Sequence, residues 1–428
     1  MKLLKNKSIV LLVLILAAAL LLSACGTAAI LASRDENSSS VSLPAVNSGS
    51  SDSVSAAALS AVSGVFDEAF SDRDLAGDYD LSEAVTITLS GTGASASSDG
   101  VQISGSTVTI TAAGTYVLSG ILDNGSVIVN AAKDDKVQLV LDGAEINSDT
   151  FAAIYVVQAD KVFITLAEGS VNTLTNGGSF VQIDDNDVDA VIFAKDDITF
   201  NGSGKLVISS PAGHGIVGKD EVTITGGTYE ISSAKCAIRG NDSIAISDGS
   251  FTINAGTDGL HAENSDDDTL GNIYIAGGSF TIHAGDDAVH ANTLLQIDGG
   301  TMSISAAEGL EATYVQINGG EISISASDDG VNAAKKSSAY TPTFEMTGGT
   351  LTVVMGQGDT DGIDSNGNVI VSGGTIDVTG QSSFDYDGAA QFTGGTIIVN
   401  GRQVTSIPNQ MMGGGGFGGG GMGGGRRR

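Results

Sequence analysis

Residues 277–291 read Gly-Gly-Ser-Phe-Thr-Ile-His-Ala-Gly-Asp-Asp-Ala-Val-His-Ala and contain the two repeated elements on which the fold prediction depends. The first element is a glycine-pair turn followed by alternating polar and apolar residues, the pattern of a half-buried strand. It recurs from Gly226 to Val399, once with Asp-Gly in place of Gly-Gly, and successive copies lie 20 to 29 residues apart. A unit of about 21 residues with occasional insertions is typical of one coil of a β-solenoid, and it is shorter than a propeller blade of about 40.

Each unit contains three strand-like segments, as in residues 215–218, 221–225 and 228–232. Weaker copies extend the pattern back to about Thr86. We therefore predict an all-β fold, a single-stranded parallel β-helix (β-solenoid) over residues 80–405, with about 14 coils of about 21 residues. Each strand is expected to pair in parallel with its copies above and below, around an interior of Ile, Val, Leu, Phe and Ala.

The composition narrows the class of protein. The 428 residues include 50 Asp and Glu against 19 Lys and Arg, which gives a net charge of −31. A nucleic-acid binder needs a positive surface that displaces counterions from phosphates, so the charge argues against that class. The hydrophobic fraction of 41% is too high for a disordered acidic chain, so a folded protein is expected.

The N-terminus has the plan of a secretory signal. Three lysines among the first seven residues precede an apolar run over 9–22 that is too short for a comfortable membrane span. The run ends in Leu-Ser-Ala-Cys at 22–25, which resembles a bacterial lipobox. We predict a signal peptide over 1–24 and a lipid on Cys25 that anchors the protein at the extracellular face of the bacterial membrane. A plain signal peptide is the alternative.

The two ends of the chain lack strand periodicity. Residues 25–79 carry the lipidated cysteine and are rich in Ser, Ala and Asn, which predicts a flexible linker. Residues 406–428 contain a Gly-rich stretch and three final arginines, which predicts a disordered tail. Cys236 is the only other cysteine, so no intrachain disulfide can form once Cys25 is acylated.

The second repeated element has the order acidic, Gly or Ala, aliphatic, polar, small, and in most units it follows the strand by seven or eight residues. It begins at Asp258, Asp287, Glu308, Asp329 and Asp361. Its polar position is occupied in turn by His261, His290, Glu311, Asn332 and Asp364. Equivalent positions of a solenoid stack at the strand spacing, so the sequence predicts two neighbouring columns of carboxylates and imidazoles on one edge. Unpaired like charges about 5 Å apart would repel strongly.

Three interpretations of these columns stay open. Asp-Gly turns recur because those residues tolerate a positive φ, and the side chains would then simply face water. A Zn²⁺ ion held between His261 and His290 is the second, with no thiolate to help it. The favoured interpretation is Ca²⁺, which takes about six to eight oxygen ligands. Its predicted ligands are Asp258, Asp287, Glu308, Glu311, Asp328, Asp329, Asp359, Asp361, Asp364 and Asn366. The last six of these form the densest oxygen cluster.

A polysaccharide lyase would need Ca²⁺ to neutralise a uronate and a nearby Lys or Arg to remove a proton. Lys335 and Lys336 closely follow Asn332 and are the best-placed base candidates. A lysine pair that opens an insertion loop for solubility is the competing explanation. The columns contain so many carboxylate pairs that the spacing test for a glycosidase cannot discriminate. We expect a non-catalytic protein, with a calcium-dependent lyase of polygalacturonate as the alternative.

The Gly-Gly-Thr/Ser coil, the acidic columns, the lipoprotein signal and the Gly-rich tail together resemble the bacterial family of carbohydrate-binding domain-containing proteins, over about residues 80–400. The resemblance implies a right-handed parallel β-helix, similar in fold to pectate lyases, that binds calcium and either cellulose or an acidic, pectin-like polysaccharide outside the cell. The family's acidic turn positions would map onto Asp258, Asp287, Glu308, Asp329, Asp361 and Asp364. With no Trp and only 8 Tyr, a stacking platform for neutral glucan is hard to build, which favours uronate.

We therefore expect a monomeric cell-surface lipoprotein that binds polysaccharide through Ca²⁺ along one edge of the β-helix. Bound cations would turn the repulsion between an acidic protein and a uronate into a bridge. Side-chain contacts to the polysaccharide are predicted from Lys335, Lys336, His261 and His290. A structural or adhesive surface spacer with no glycan ligand is a further alternative.

Overall fold

The computed structural model describes residues 62–98, 100–357 and 360–410. This part of the chain contains 36 strands and one four-residue helix, which confirms the all-β prediction. Every strand pairing within it is parallel except for three antiparallel pairs near the first and last strands. No helix in these residues is long and apolar enough to cross a membrane. The pairing pattern is that of a β-solenoid, whereas the right hand and the count of 14 coils stay predictions.

The strands form three parallel stacks, and each coil contributes one segment to each stack in turn. Stack 1 contains β1 (Val85–Gly91), β5 (Gly114–Leu122), β7 (Lys136–Ser148), β9 (Lys161–Leu166), β12 (Asp197–Gly202), β15 (Glu221–Ile224), β18 (Ser243–Ile246), β21 (Asn272–Ile275), β23 (Asp287–Ile297), β25 (Glu308–Ile317), β28 (Thr343–Met346), β31 (Asn368–Val371) and β34 (Ala390–Phe392).

Stack 2 begins at the ends of β5 and β7, which bend from one stack into the next. It continues through β10 (Val171–Asn176), β13 (Lys205–Ser210), β16 (Thr228–Ser233), β19 (Ser250–Ala255), β22 (Ser279–Ala284), β24 (Thr301–Ala306), β26 (Glu321–Ala326), β29 (Thr350–Met355), β32 (Thr375–Thr379) and β35 (Thr396–Val399).

Stack 3 carries the acidic motif, and the first halves of β23 and β25 belong to it. Its other members are β4 (Thr107–Ile110), β6 (Ser126–Asn130), β8 (Ile154–Gln158), β11 (Ala190–Ala194), β14 (His214–Gly218), β17 (Ile238–Gly240), β20 (Leu260–Ala262), β27 (Val331–Ala333), β30 (Asp361–Ser365) and β33 (Ser382–Tyr386). The remaining elements are α1 (Asp72–Leu75), β2 (Gly93–Ala96), β3 (Val101–Ser104) and β36 (Arg402–Val404).

The interior is filled by the inward side chains of the three stacks, as the period-two pattern predicts. In stack 2, buried Phe251 and Phe280 alternate with exposed polar residues. Their rings stack from coil to coil, with centroids 4.6 Å apart, and Tyr229 stacks on Phe251 at 4.9 Å. Three successive coils therefore contribute aromatic side chains to the same layer of the core.

The glycine-pair turns stack backbone against backbone. Gly278 has a φ of 102° and Gly300 in the next coil has a φ of 92°, a conformation that side chains rarely adopt. A Cβ on Gly300 would lie 2.8 Å from the Gly278 carbonyl oxygen. These two constraints explain why glycine recurs at the start of each stack 2 strand.

Residues 62–79 fall within the predicted flexible linker, yet the structure packs them against the solenoid. Phe66 stacks on Tyr274 with ring centroids 4.7 Å apart. The buried Asp74 in α1 lies 2.8 Å from Lys161 Nζ through Oδ1, which also accepts a hydrogen bond of 2.6 Å from the Thr199 hydroxyl. Burial by itself raises the pKa of Asp74, but the hydrogen bonds from Lys161 and other donors outweigh it and lower the pKa from 3.8 to about 2.

This pairing predicts an acid-sensitive contact. A folded-state pKa below the ordinary value means that Asp74 stabilises the docked helix above about pH 4 and loses that effect as the pH falls toward 2. Asp74→Asn should cost about 2 kcal/mol of docking free energy at pH 7, seen as faster amide hydrogen exchange in α1. The exposed Asp72→Asn is the matched control. Equal exchange in both variants would contradict the assignment.

Candidate functional site

The acidic motif produces two columns of side chains along one edge of stack 3, as its spacing predicts. The first column contains Cys236, Asp258, Asp287, Glu308, Asp329, Asp361 and Ser382. The second column lies three residues further along each coil and contains Arg239, His261, His290, Glu311, Asn332, Asp364 and Asp385. Every member of the second column is the parallel register partner of the next, so each side chain has neighbours of the same column above and below.

The turn between the columns explains the small second residue of the motif. Gly259 follows Asp258, and a Cβ there would lie 2.5 Å from the Ala288 carbonyl oxygen and 2.8 Å from Ile282 Cγ2. Only a very small residue therefore fits between one coil and the next. The following aliphatic residue, Leu260 in this coil, is fully buried, and the polar residue after it lies at the surface edge of the core.

In the N-terminal half of the columns, the acidic side chains lie beside histidine and arginine side chains. His261 Nδ1 lies 2.7 Å from Asp258 Oδ2, and His261 Nε2 lies 3.3 Å from Glu263 Oε2. Arg239 Nη2 lies 3.6 Å from the same Glu263 oxygen. The His261 and His290 rings stack with centroids 4.7 Å apart. Acidic side chains in these coils are therefore paired with groups of the chain itself.

A buried charge network follows in the next two coils. His290 Nδ1 lies 2.6 Å from Asp287 Oδ2 and 2.7 Å from Glu311 Oε2. Lys336 Nζ lies 2.9 Å from the other Glu311 oxygen. Burial lowers the pKa of His290, but its hydrogen bonds to Asp287 and Glu311 outweigh burial and raise the pKa to about 10. Two carboxylates are thus balanced by an imidazolium and an ammonium group.

The C-terminal half has a different charge balance. No Lys, Arg or His occurs between Lys336 and Arg402, whereas seven Asp and Glu do. Burial, followed by the charges of nearby carboxylates that include Asp364, raises the pKa of Asp329 to about 7, although the Asp361 amide opposes this. Burial and the charges of Asp361, Asp385 and Asp387 raise the pKa of Asp364 to about 6. In this half, burial and mutual repulsion disfavour the ionised forms of Asp329 and Asp364.

Three uncharged side-chain oxygens near these carboxylates have no hydrogen-bond partner among the described residues. Asn332 donates through Nδ2 to Glu308 Oε2 at 3.0 Å and to Glu311 Oε1 at 3.1 Å. Its Oδ1 is buried without a hydrogen-bond partner among the described residues, and so are Thr360 Oγ1 and Ser382 Oγ. All three belong to or adjoin column positions beside Asp361 or Asp364. A buried polar atom without a partner costs about 1–3 kcal/mol, so these oxygens mark a place where a cation would be favourable.

The other predicted site residues lie around the columns. Asp328 is exposed beside Asp329, and Asn366 is exposed two residues beyond Asp364. Asp359 and Cys25 lie outside the described residues. Glu308 does belong to the first column, and burial together with the Glu311 charge raises its pKa to about 8.

The two lysines have different surroundings. Lys335 is exposed, whereas Lys336 makes the ion pair with Glu311. Burial lowers the pKa of Lys336, but the contacts with Glu311 outweigh it and raise the pKa. A lysine that removes a proton from a sugar needs the opposite shift.

Sequence reasoning missed column members whose residue type departs from the motif. Residues 236–240, Cys-Ala-Ile-Arg-Gly, are a copy of the motif in which Cys236 replaces the acidic residue and Arg239 the polar one. Sequence reasoning did not place Cys236 beside His261, yet the Cys236 thiol donates a hydrogen bond of 3.4 Å to Asp258 Oδ2, which lies 2.7 Å from His261 Nδ1. The small-aliphatic-x-small pattern was the signal that could have revealed this copy.

A family model of carbohydrate-binding domain-containing proteins matches residues 104–361 and, in an overlapping match, 310–406. The chain belongs to this family. A carbohydrate-binding domain-containing protein of Acetivibrio thermocellus is 36% identical over 137 residues, which cover 32% of this chain and 48% of that relative. The chain therefore matches about half of the length of the relative. The structure of a polysaccharide lyase-like protein from C. thermocellum, a gadolinium derivative, matches with 32% identity and a TM-score of 0.50, over 56% of this chain and 94% of that one.

For this carbohydrate-binding domain-containing protein, the His290 network predicts a base-sensitive stability. A raised pKa means that the stabilisation is complete below about pH 6.5 and is lost as the pH rises through about 10. His290→Gln leaves two buried carboxylates without their shared partner and should cost about 3–5 kcal/mol at pH 6. Urea unfolding in the presence of chelator measures this cost.

The matched control is His283→Gln, because His283 is exposed in stack 2. It should change the free energy of unfolding little at either pH. A cost of His290→Gln that is equal at pH 6 and pH 10 would show that the imidazole acts by packing rather than by charge.

Proposed function

We propose that this protein binds acidic polysaccharide through Ca²⁺ held on the C-terminal half of the two columns. The observation that carries the proposal is the group of Asp329, Asp361 and Asp364, together with buried oxygen atoms of Asn332 and Ser382 that have no hydrogen-bond partner among the described residues. This group offers oxygen donors only, which is the donor set that Ca²⁺ prefers. Asp385 continues the second column and would supply a further carboxylate.

The charge balance supports a bound cation over a solvated acidic face. Burial and mutual repulsion raise the pKa values of Asp329 and Asp364, so the ionised site is unfavourable until positive charge arrives. Lys336 is already paired with Glu311, and no Lys, Arg or His occurs in the sequence between Lys336 and Arg402. A divalent ion would neutralise two carboxylates and satisfy the neutral oxygens at once.

The polysaccharide would take the coordination positions that the protein leaves open. Carboxylates of a uronate-containing chain are hard oxygen ligands, and an acidic protein repels them unless a cation lies between. The exposed large hydrophobic side chains of the described residues are all aliphatic, so a stacking surface for cellulose is poorly supplied. Uronate therefore fits these surfaces better than neutral glucan does.

The relatives support the polysaccharide part of the proposal. The chain belongs to a carbohydrate-binding family, and a solved structure that it resembles is that of a polysaccharide lyase-like protein. We propose in addition a right-handed coil and a lipid anchor on Cys25 that places the solenoid on the extracellular face of the membrane.

At pH 8, calcium should reverse the order of the melting temperatures of the wild type and a double variant. In chelator, the double variant Asp329→Asn with Asp364→Asn removes repulsion and should melt about 2–4 °C above the wild type. With Ca²⁺ the wild type should gain stability and melt above the variant. Asp377→Asn removes one charge from stack 2 in the same part of the chain, and it should respond to Ca²⁺ as the wild type does. Calorimetry that shows no calcium-dependent gain in the wild type would contradict the metal site.

Polysaccharide retention tests the second part of the proposal. Affinity electrophoresis through polygalacturonate should retard the wild type and Asp377→Asn with Ca²⁺ but not with chelator. The double variant should migrate freely under both conditions. Retention that chelator leaves unchanged, or retention by crystalline cellulose alone, would count against calcium-bridged uronate binding. Unsaturated uronate products should not accumulate, and their appearance would favour the lyase alternative.

A further inference from the structure

A second type of donor cluster lies at the N-terminal part of the columns. Cys236, Asp258 and His261 bring a thiol, a carboxylate and an imidazole together, with ligand atoms all within 4.8 Å of one another. Cys236 and Asp258 are each 6% exposed, so both are held in fixed positions by the core. The register explains the convergence, since Cys236 precedes Asp258 by one coil in the first column and His261 follows it in the same coil.

Two hydrogen bonds within this trio occupy the place where an ion would lie. Asp258 Oδ2 accepts from Cys236 Sγ at 3.4 Å and lies 2.7 Å from His261 Nδ1. Both contacts converge on one carboxylate oxygen. A cation between the three atoms would replace these hydrogens while the side chains keep their places.

The second nitrogen of the imidazole also has the partner that a metal ligand requires. Histidine ligands usually donate their other N–H to a carboxylate, which fixes the tautomer. His261 Nε2 lies 3.3 Å from Glu263 Oε2, and Arg239 Nη2 lies 3.6 Å from the same oxygen. The tautomer with hydrogen on Nε2 leaves Nδ1 with a free lone pair 2.7 Å from Asp258 Oδ2, within 4.8 Å of Cys236 Sγ.

We propose that Cys236, Asp258 and His261 form a binding site for a divalent transition-metal ion, with Zn²⁺ as the best match, separate from the calcium-binding carboxylates. Sulfur and nitrogen donors select Zn²⁺ and similar ions, whereas Ca²⁺ takes oxygen ligands. The ion would bond to Cys236 Sγ as the thiol releases its proton to solvent. Three protein ligands leave the fourth position of a tetrahedral Zn²⁺ to water.

The neighbouring trio of Asp287, His290 and Glu311 also has ligand atoms within 4.8 Å, yet it fits a metal less well. His290 Nδ1 contacts both carboxylates, and Lys336 contacts Glu311, so two cations already balance two anions. That trio also lacks a thiol. Of the two trios, Cys236, Asp258 and His261 therefore fit a transition-metal ion better.

Cobalt is a suitable probe because a thiolate bound to Co²⁺ produces a charge-transfer band in the near ultraviolet. The full chain is purified in mild detergent, reduced, stripped with chelator, and titrated with Co²⁺. We expect the band in the wild type, its displacement by Zn²⁺, and its persistence in excess Ca²⁺. No band in the wild type, or displacement by Ca²⁺, would overturn the proposal.

The two cysteines of the chain provide a matched pair of variants. Cys25→Ser should keep the band and Cys236→Ser should lose it, and the reverse result would assign the metal to the N-terminal cysteine and overturn the site. His261→Gln should weaken Co²⁺ binding at least about 10-fold, the lower end of what even outer partners of a metal contribute. Unchanged affinity in His261→Gln would remove the imidazole from the site.

A second measurement does not depend on the folding of Cys236→Ser. In the Cys25→Ser background, iodoacetamide can modify only Cys236. Zn²⁺ should slow this alkylation at least about 10-fold, and His261→Gln should remove most of the protection. Alkylation at the same rate with and without Zn²⁺ would overturn the proposal.

Discussion

Parallel stacking in register is the constraint on which the rest of this structure depends. It places each residue beside its equivalents in the coils above and below, about 4.8 Å away. Apolar equivalents such as Phe251 and Phe280 gain from that proximity, since identical rings stack. Like charges are destabilised by it, because two unit charges about 5 Å apart repel by about 3 kcal/mol at an effective dielectric constant of about 20. Stacked copies of an acidic motif therefore need a source of positive charge.

The chain meets this requirement differently in its two halves. Toward the N-terminus the second column changes from Arg239 to His261 and His290, and these groups pair with the carboxylates beside them. Lys336 then enters from an insertion to reach Glu311. Beyond Asn332 the column continues as Asp364 and Asp385, and no Lys, Arg or His occurs in the sequence between Lys336 and Arg402. The proposed Ca²⁺ would supply positive charge to that half from solution.

The fold and the columns could be predicted because the sequence repeat has the same length as one coil of the solenoid. Glycine turns and alternation specify each strand, and repetition alone then fixes the pairing. The pairing of Lys336 with Glu311 was not predictable in this way, because it depends on the path of an insertion. The docking of Asp74 on Lys161 and Thr199 was also inaccessible, since it joins residues far apart in sequence by contacts that no period describes. Cys236 was missed because the motif was defined by charge rather than by shape.

The copy of the motif at Cys236 shows that the residues required for packing the coils differ from those available for binding. The turn at Gly259 and the buried Leu260 are required by the close approach of coils, and Ala237 and Ile238 play the same parts one coil earlier. The two positions that flank them accept different residue types, since Asp258 and His261 in one coil correspond to Cys236 and Arg239 in the other. Donor chemistry can thus change from sulfur and nitrogen to oxygen along a single edge while the backbone stays the same. If the two proposed metal sites are occupied, the side chains at these two positions of adjacent coils would decide which cation binds.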